Sequence, residues 1–397
     1  MRAFRSLLSG ASPFWLIAGI LLIAANLRAP VTGVAPLLDL LRDHFHLSAG
    51  AAGLLTTLPL LGFALMSPAA ARLGQRHGLG QTLFVAMLVL FTGILLRSSG
   101  PLIALFAGTA LIGGAIAVGN VLLPALVKRD FPDHVTTLTA AYALTMGIAA
   151  GLVSAVAIPL SGLGHNGWDI ALASSAVLVW VTLLVWWPQV RAQARTAPPA
   201  HTAAPLAKSL WRYALAWQVT LFFGLNSLVY YVIISWLPAM LHEAGFSAAR
   251  TGTLHGVLQI ASALPGLVLI PLLRQREDLR GAAVAVTLLA LIGLAGLLLA
   301  PAWSLLWCIA YGFGAGAGII LALAFVSLRS ASVGTAAALS GMAQCLGYLL
   351  AASGPVLTGL LHDASGSWAP ILWLCMGCAT IQAVLGLYAG GARRLGD

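Results

Sequence analysis

Twelve apolar runs, each long enough to cross a bilayer, follow one another along this chain with little between them. A membrane-crossing helix needs about 20 apolar residues. Only a helix or a closed barrel satisfies its own backbone hydrogen bonds in hydrocarbon. Bounded by charges or Gly/Pro clusters, the runs predict helices over 14–41, 49–71, 80–97, 102–126, 135–161, 168–188, 214–240, 249–273, 281–300, 303–327, 332–361 and 368–389. In 397 residues that leaves no room for a soluble domain of useful size. Only 8% of the residues are charged and 60% are hydrophobic, whereas soluble domains carry about 25% charged residues. This composition excludes an ordinary soluble enzyme, a disordered chain and a nucleic-acid binder. The run that begins at Phe14 is too long for the core of a signal peptide and contains Arg28, so it reads as a retained first helix.

The net charge of +10 then reports topology. With the N-terminus in the cytoplasm and sides alternating, 16 of the 20 Lys and Arg fall on the cytoplasmic side, including Arg2, Arg5, Arg274, Arg329 and Arg394. Three fall outside (Arg42, Arg97 and Arg250), and Arg28 lies within a span. Adding or removing one helix would scramble that bias. Both termini are therefore expected in the cytoplasm. Residues 189–213, rich in Ala and Pro and basic, read as a cytoplasmic linker between a six-helix bundle over 1–188 and another over 214–397. The halves resemble each other at a spacing of about 200 residues: Ser48 with Ser247, Gly53 with Gly252, and LTAAY from Leu138 with LSGMA from Leu339. An even number of helices per half makes the repeat parallel, which places a binding site near the midplane between the halves.

Arg28 is the most informative residue inside the membrane. A charge there costs at least about 2.5–3.5 kcal/mol on insertion scales. No Asp or Glu stands three or four residues away, and no carboxylate lies deep in any predicted span. A guanidinium lining a hydrated cavity, where its fork suits a carboxylate, a nitro-like group or another small anion, is the functional reading. Pairing with a distant carboxylate and snorkelling are the alternatives. Pro30 breaks the local backbone ladder beside it. Other polar residues recur at helical spacing: Asn226 and Tyr230 followed by Tyr231, His255 and Gln259, and Ser340, Gln344 and Tyr348. With Asn26, Asn120 and Tyr142 they are candidate cavity residues, interhelical hydrogen bonding being the competing role. His255 is a candidate proton carrier or a neutral hydrogen-bonding residue. Trp236, beside Pro238, is a candidate cap on the cavity. Trp15, Trp168, Trp186, Trp187, Trp211, Trp303 and Trp368 sit at predicted helix ends and read as an interfacial belt. Gly147 and Gly151, and Gly314 and Gly318, form G-x-x-x-G packing motifs. GFGAGAG from Gly312 lacks the strand and Lys of a phosphate loop. Cys375 and Cys378, with no His or carboxylate nearby, read as small packing residues.

Two sets of six helices around a basic central loop resemble the major facilitator superfamily. The stretches NLRAPVTGVAPLL, GLLTTLPLLGFAL, GNVLLPALVKRDFP, FFGLNSLVYYVIISWLP and ALSGMAQCLGYLLAASGP resemble the cyanate and 2-nitroimidazole transporter family within it. That resemblance implies a bacterial inner-membrane carrier, not an enzyme. It would work by alternating access as a monomer in lipid, without ATP or a cofactor, on a small polar or anionic solute, with a proton or other coupling ion left open. Arg28 matches that family's first-helix arginine. The loop after the second helix, RLGQRHGLG, keeps Arg76 and Gly78 of the superfamily's gating signature but has Gln75 in place of its Asp. A proton-coupled exporter of lipophilic drugs is the alternative. It is weakened because the fifth helix lacks the Gly-Pro signature of drug/proton antiporters.

Overall fold

The computed structural model describes residues 13–163, 167–193, 210–273, 276, 278–331, 333–393 and 395. The charges at Arg2, Arg5, Arg274 and Arg394, and residues 194–209 of the expected linker, lie outside them. Among the described residues the chain is all helix, apart from one isolated bridge between Ser330 and Leu395. Twelve spans are long and apolar enough to cross a membrane. We label them α1 (Pro13–Phe45, in four short pieces), α2 (Ala49–His77), α3 (Leu79–Arg97), α4 (Leu102–Asp130), α5 (Val135–Ser161), α6 (Trp168–Ala173 with Ser175–Gln193), α7 (Ala214–Glu243), α8 (Ala248–Ala263 with Pro265–Leu273), α9 (Arg280–Leu299), α10 (Ser304–Leu328), α11 (Val333–Ser365) and α12 (Ala369–Ala389). Below, the near face carries the start of α1 and the far face carries its end. The twelve helices form two six-helix bundles related by the internal repeat.

Identical positions of the repeat hold each bundle together. Asn26 and Asn226 stand 200 residues apart, as do Thr182 and Gln382. Asn26 Nδ2 donates to Thr182 Oγ1 at 2.7 Å, tying α1 to α6. Gln382 Nε2 donates to Asn226 Oδ1 at 3.0 Å, tying α12 to α7, and Asn226 Nδ2 donates to the Ala315 carbonyl of α10 at 3.1 Å.

The bundles meet along α2 against α11 and α5 against α8, tightly toward the far face. Again the repeat is visible. A Cβ on Gly53 would stand 2.7 Å from the Pro355 carbonyl oxygen, and one on Gly252 would stand 3.0 Å from that of Ser154. Gly256 lies as close to Gly151, and Gly359 to Ala49. Only glycine allows such backbone-to-backbone approach. Polar bonds reinforce the seal: Thr57 Oγ1 donates to the Ala352 carbonyl at 2.9 Å. Asp363 of α11 accepts from the Ala49 and Gly50 amides at 3.1 and 3.0 Å, capping α2 from the opposite bundle. Arg42 lies 4.0 Å from Asp363, and His242 lies 3.8 Å from Asp39. Toward the near face the stripe of α11 that faces α2 opens. Ala352, Pro355 and Gly359 are buried, whereas Cys345 and Gly341, one and two turns beyond Tyr348, are exposed.

Three expectations change. Trp168, Trp186 and Trp368 are buried in the bundle, not in an interfacial belt, and Trp186 donates Nε1 to the Gly80 carbonyl at 3.0 Å. The flat ring of Trp186 fills the space that Gly19 leaves by lacking a Cβ. Trp15, Trp187, Trp211 and Trp303 are exposed, as a belt requires. Arg97, expected on the outer side, and Arg329, expected on the cytoplasmic side, are also buried. Each serves backbone carbonyls that a helix end or break leaves free. Arg329 Nε donates to Ala389 at 3.0 Å and Nη2 to Gly390 at 3.3 Å. Arg97 Nη1 donates to Pro30 at 2.6 Å.

Candidate functional site

The site starts from two prolines in α1. Pro30 has no N–H for the Asn26 carbonyl, and its ring clashes with that carbonyl, so the first helical piece ends at Asn26. Arg28, in the resulting turn, has φ −130° and ψ −42°. Pro36 likewise has no N–H for the Thr32 carbonyl, and Ser154 Oγ of α5 donates to it instead, at 3.3 Å. The Val34 amide bonds Val31, not Pro30, which leaves the Pro30 carbonyl to Arg97. The breaks turn Arg28 toward the opposite bundle, and neighbouring helices serve the Thr32 and Pro30 carbonyls.

Arg28 is half-buried between the bundles. Its Nη2 donates to Ser262 Oγ of α8 at 3.1 Å, and its guanidinium carbon lies 5.2 Å from the centre of the Tyr230 ring. Among the described residues no ion pair includes Arg28, so its charge has only a neutral hydroxyl and a ring face. Tyr231 and Tyr348 stand in the same field. Tyr231 meets Tyr230 edge-on at 5.5 Å, and Tyr348 meets Phe223 at 5.3 Å and Phe63 at 5.6 Å. The arrangement suits a planar group that lies against these rings with its negative end on the guanidinium.

Behind Arg28 a buried polar chain crosses from one bundle to the other. Tyr230 OH donates to Gln259 Oε1 at 2.7 Å, Gln259 Nε2 lies 3.4 Å from His255 Nε2, and His255 Nδ1 lies 3.0 Å from Ser154 Oγ. Ser154 donates onward to Thr32. With the proton assigned to Nδ1 by its partners, a neutral imidazole satisfies every link.

The structure thus brings together Arg28, Tyr230, Tyr231, His255, Gln259 and Tyr348. Gln344, which donates to Ser340 Oγ at 2.8 Å, stands one turn nearer the near face than Tyr348. Tyr142 is half-buried on α5. Asn120 is exposed on α4 and takes part in none of the hydrogen bonds among the described residues. Asn26 and Asn226 are pins inside their own bundles. Trp236, wholly buried, donates Nε1 to the Pro355 carbonyl at 3.0 Å and so belongs to the far-face packing. Arg76 is exposed at the near-face end of α2. Gly78, with φ +84°, makes the turn into α3 that a residue with a Cβ would strain. The sequence reading did not single out Ser154, Ser262, Phe63 or Phe223. A hydroxyl or a ring in an apolar helix carries no signal of its own until its partner is known.

Comparison with known proteins agrees with this architecture. Residues 14–352 match the Major Facilitator Superfamily. The chain is 50% identical to the 2-nitroimidazole transporter of Escherichia coli (strain K12) over 384 residues, 96% of this chain and 97% of that protein. It is 28% identical to the cyanate transport protein CynX of the same strain over 351 residues, 88% of this chain and 90% of that one. In fold it is similar to a D-xylose-proton symporter, with a TM-score of 0.74 at 13% identity, covering 96% of this chain and 99% of the other. These relatives are transporters, not enzymes. The chain belongs to the major facilitator superfamily, as a multi-pass membrane transporter close to the 2-nitroimidazole transporter.

Proposed function

We propose that this protein carries a small planar solute with a negative end, a 2-nitroimidazole or a cyanate-like anion, across a bacterial inner membrane by alternating access. One observation carries the reading: Arg28 reaches the space between the bundles beside three tyrosines, and among the described residues no carboxylate pairs with it. The negative end of the solute lies on Arg28, its ring against Tyr230, Tyr231 and Tyr348, and Gln259 orients Tyr230. Gln344, Tyr142 and Asn120 line the route from the near face. Asn26, Asn226, Trp236 and His255 frame the site, and Arg76 and Gly78 serve the near-face gate. The rings favour the nitroheterocycle over cyanate. Positive-inside topology makes the near face cytoplasmic, so the sealed far face corresponds to an inward-facing state. One copy of the chain holds the whole site, and no cofactor enters the cycle. Any coupling ion would have to act without a carboxylate at the site.

The test is thermal stability of purified wild-type and Arg28→Ala protein against cyanate, small carboxylates, nitroimidazoles and lipophilic cations. A ligand at 100 times its Kd stabilises the folded state by about 2.7 kcal/mol. We expect a rise with 2-nitroimidazole in wild type that is absent in Arg28→Ala. An equal rise in both proteins with lipophilic cations, and none with nitroimidazoles, would overturn the reading.

A further inference from the structure

Arg97 is a second guanidinium in the bundle, and the solute site just described does not use it. It is the last residue of α3 and is only 2% exposed. None of the ion pairs among the described residues includes it, and its Nε is buried without a hydrogen-bond partner. Its described hydrogen bond is the 2.6 Å donation from Nη1 to the Pro30 carbonyl, two residues beyond Arg28. That carbonyl has lost its helical donor, because the Val34 amide turns to Val31. The backbone of Arg97 is itself held. A Cβ on Gly108 of α4 would stand 2.7 Å from the Arg97 Cα, so α4 packs directly on the end of α3.

The repeat supplies an independent argument. Gly93 and Gly293 fix the register of α3 on α9, which places Leu297 opposite Arg97. The same register places Tyr230 opposite Pro30, and α7 runs unbroken through that position. At this one position the guanidinium occurs in the half whose first helix is broken, and leucine replaces it in the half whose first helix is not.

We propose that Arg97 is a positioning residue for solute binding: it braces the broken segment of α1 at Pro30 and so holds Arg28 turned toward the solute. This rests on the reading of Arg28 as the solute-binding cation. A guanidinium suits the task because it stays charged and offers several donors in a fixed plane, so it can reach a carbonyl without accepting a bond itself.

The test measures equilibrium binding of 2-nitroimidazole to the purified full chain as wild type, Arg28→Ala, Arg97→Met, Arg97→Lys, Pro30→Ala and the Arg97→Met/Pro30→Ala double variant. In Pro30→Ala residue 30 regains an N–H for the Asn26 carbonyl, the helix runs on past Asn26, and the brace has no broken turn left to hold. We expect Kd to rise at least tenfold in Arg97→Met, to recover to within about threefold of wild type in Arg97→Lys, and to be no higher in the double variant than in Pro30→Ala alone. Wild-type affinity in Arg97→Met, or multiplying effects in the double variant, would overturn the inference. Should Arg97→Met fail to fold, Arg97→Gln, which keeps a neutral donor, is read in its place. Unchanged binding in Arg28→Ala would instead sink the parent reading. A solute-free measurement then decides for Arg97: labelling of Arg28→Cys, in a chain carrying Cys345→Ser, by a small charged thiol reagent. Labelling at least tenfold slower with Arg97→Met than with Arg97 supports the brace, and equal rates overturn it.

Discussion

The two halves place the same pattern in α1 and α7 and then put it to different uses. In α1 the sequence from Asn26 is Asn-Leu-Arg-Ala-Pro, and in α7 from Asn226 it is Asn-Ser-Leu-Val-Tyr. The asparagines do the same work, each tying its helix to the last helix of its own bundle. Two residues on, Arg28 faces Leu228 in the repeat, and four residues on, Pro30 faces Tyr230. One half supplies a cation on a broken backbone and the other an aromatic ring on an intact one, and the cation sits over that ring. A parallel repeat builds a symmetric frame. The polarity of a site within it has to come from positions where the halves differ.

Exchanging those differences should break the site in a graded way. The largest effect is expected for Arg28→Leu, which gives α1 the residue of its counterpart. Uptake of 2-nitroimidazole into proteoliposomes should fall at least about a hundredfold, about 2.7 kcal/mol at 1.36 per decade, with the protein still folded. Retained uptake would show that the difference between α1 and α7 is not what makes the site. Pro30→Ala comes next. It restores the backbone ladder and turns Arg28 away, so the concentration for half-maximal uptake should rise about tenfold while the maximal rate changes less. Third, Asn26→Ala and Asn226→Ala should each lower stability by about 1–3 kcal/mol, since each leaves buried polar partners unpaired, yet leave half-saturation close to wild type. A selective loss of affinity in either would move that asparagine from frame to site. The smallest effect is expected for Thr57→Val, which removes one cross-bundle bond to Ala352 worth about 0.6 kcal/mol by membrane double-mutant averages. It should raise access of an external thiol reagent to a far-face cysteine by about threefold.

How much of this was legible in the chain follows the same line between frame and site. The twelve helices were legible, because hydrophobic length and the sidedness of basic residues each constrain the count. The membrane fold and the superfamily followed from the same features. Arg28 was legible because a charge in an apolar run is rare and costly. Asn26 and Asn226 drew attention for the same reason, but their partners, Thr182 and Gln382, lie 156 residues away in each case, so nothing local marked them as pins. Ser154 and Ser262 were invisible. A serine in a membrane helix can satisfy itself on its own preceding turn, and only the fold shows that Ser154 also serves the carbonyl Pro36 abandons. The burial of Arg97 was missed for a related reason. At a helix terminus, a charge in a loop and a charge folded inward read alike.

The far-face seal has one further consequence. Its closest approaches, Gly53 on Pro355, Gly252 on Ser154 and Gly256 on Gly151, are between backbones. Closing a seal of long side chains would freeze rotamers at up to about 2 kcal/mol each, whereas glycine has none to freeze. These surfaces can therefore part and meet again with little disorder gained or lost. The seal resembles two machined faces more than a set of interlocked fingers, and its grip depends on how well the faces fit.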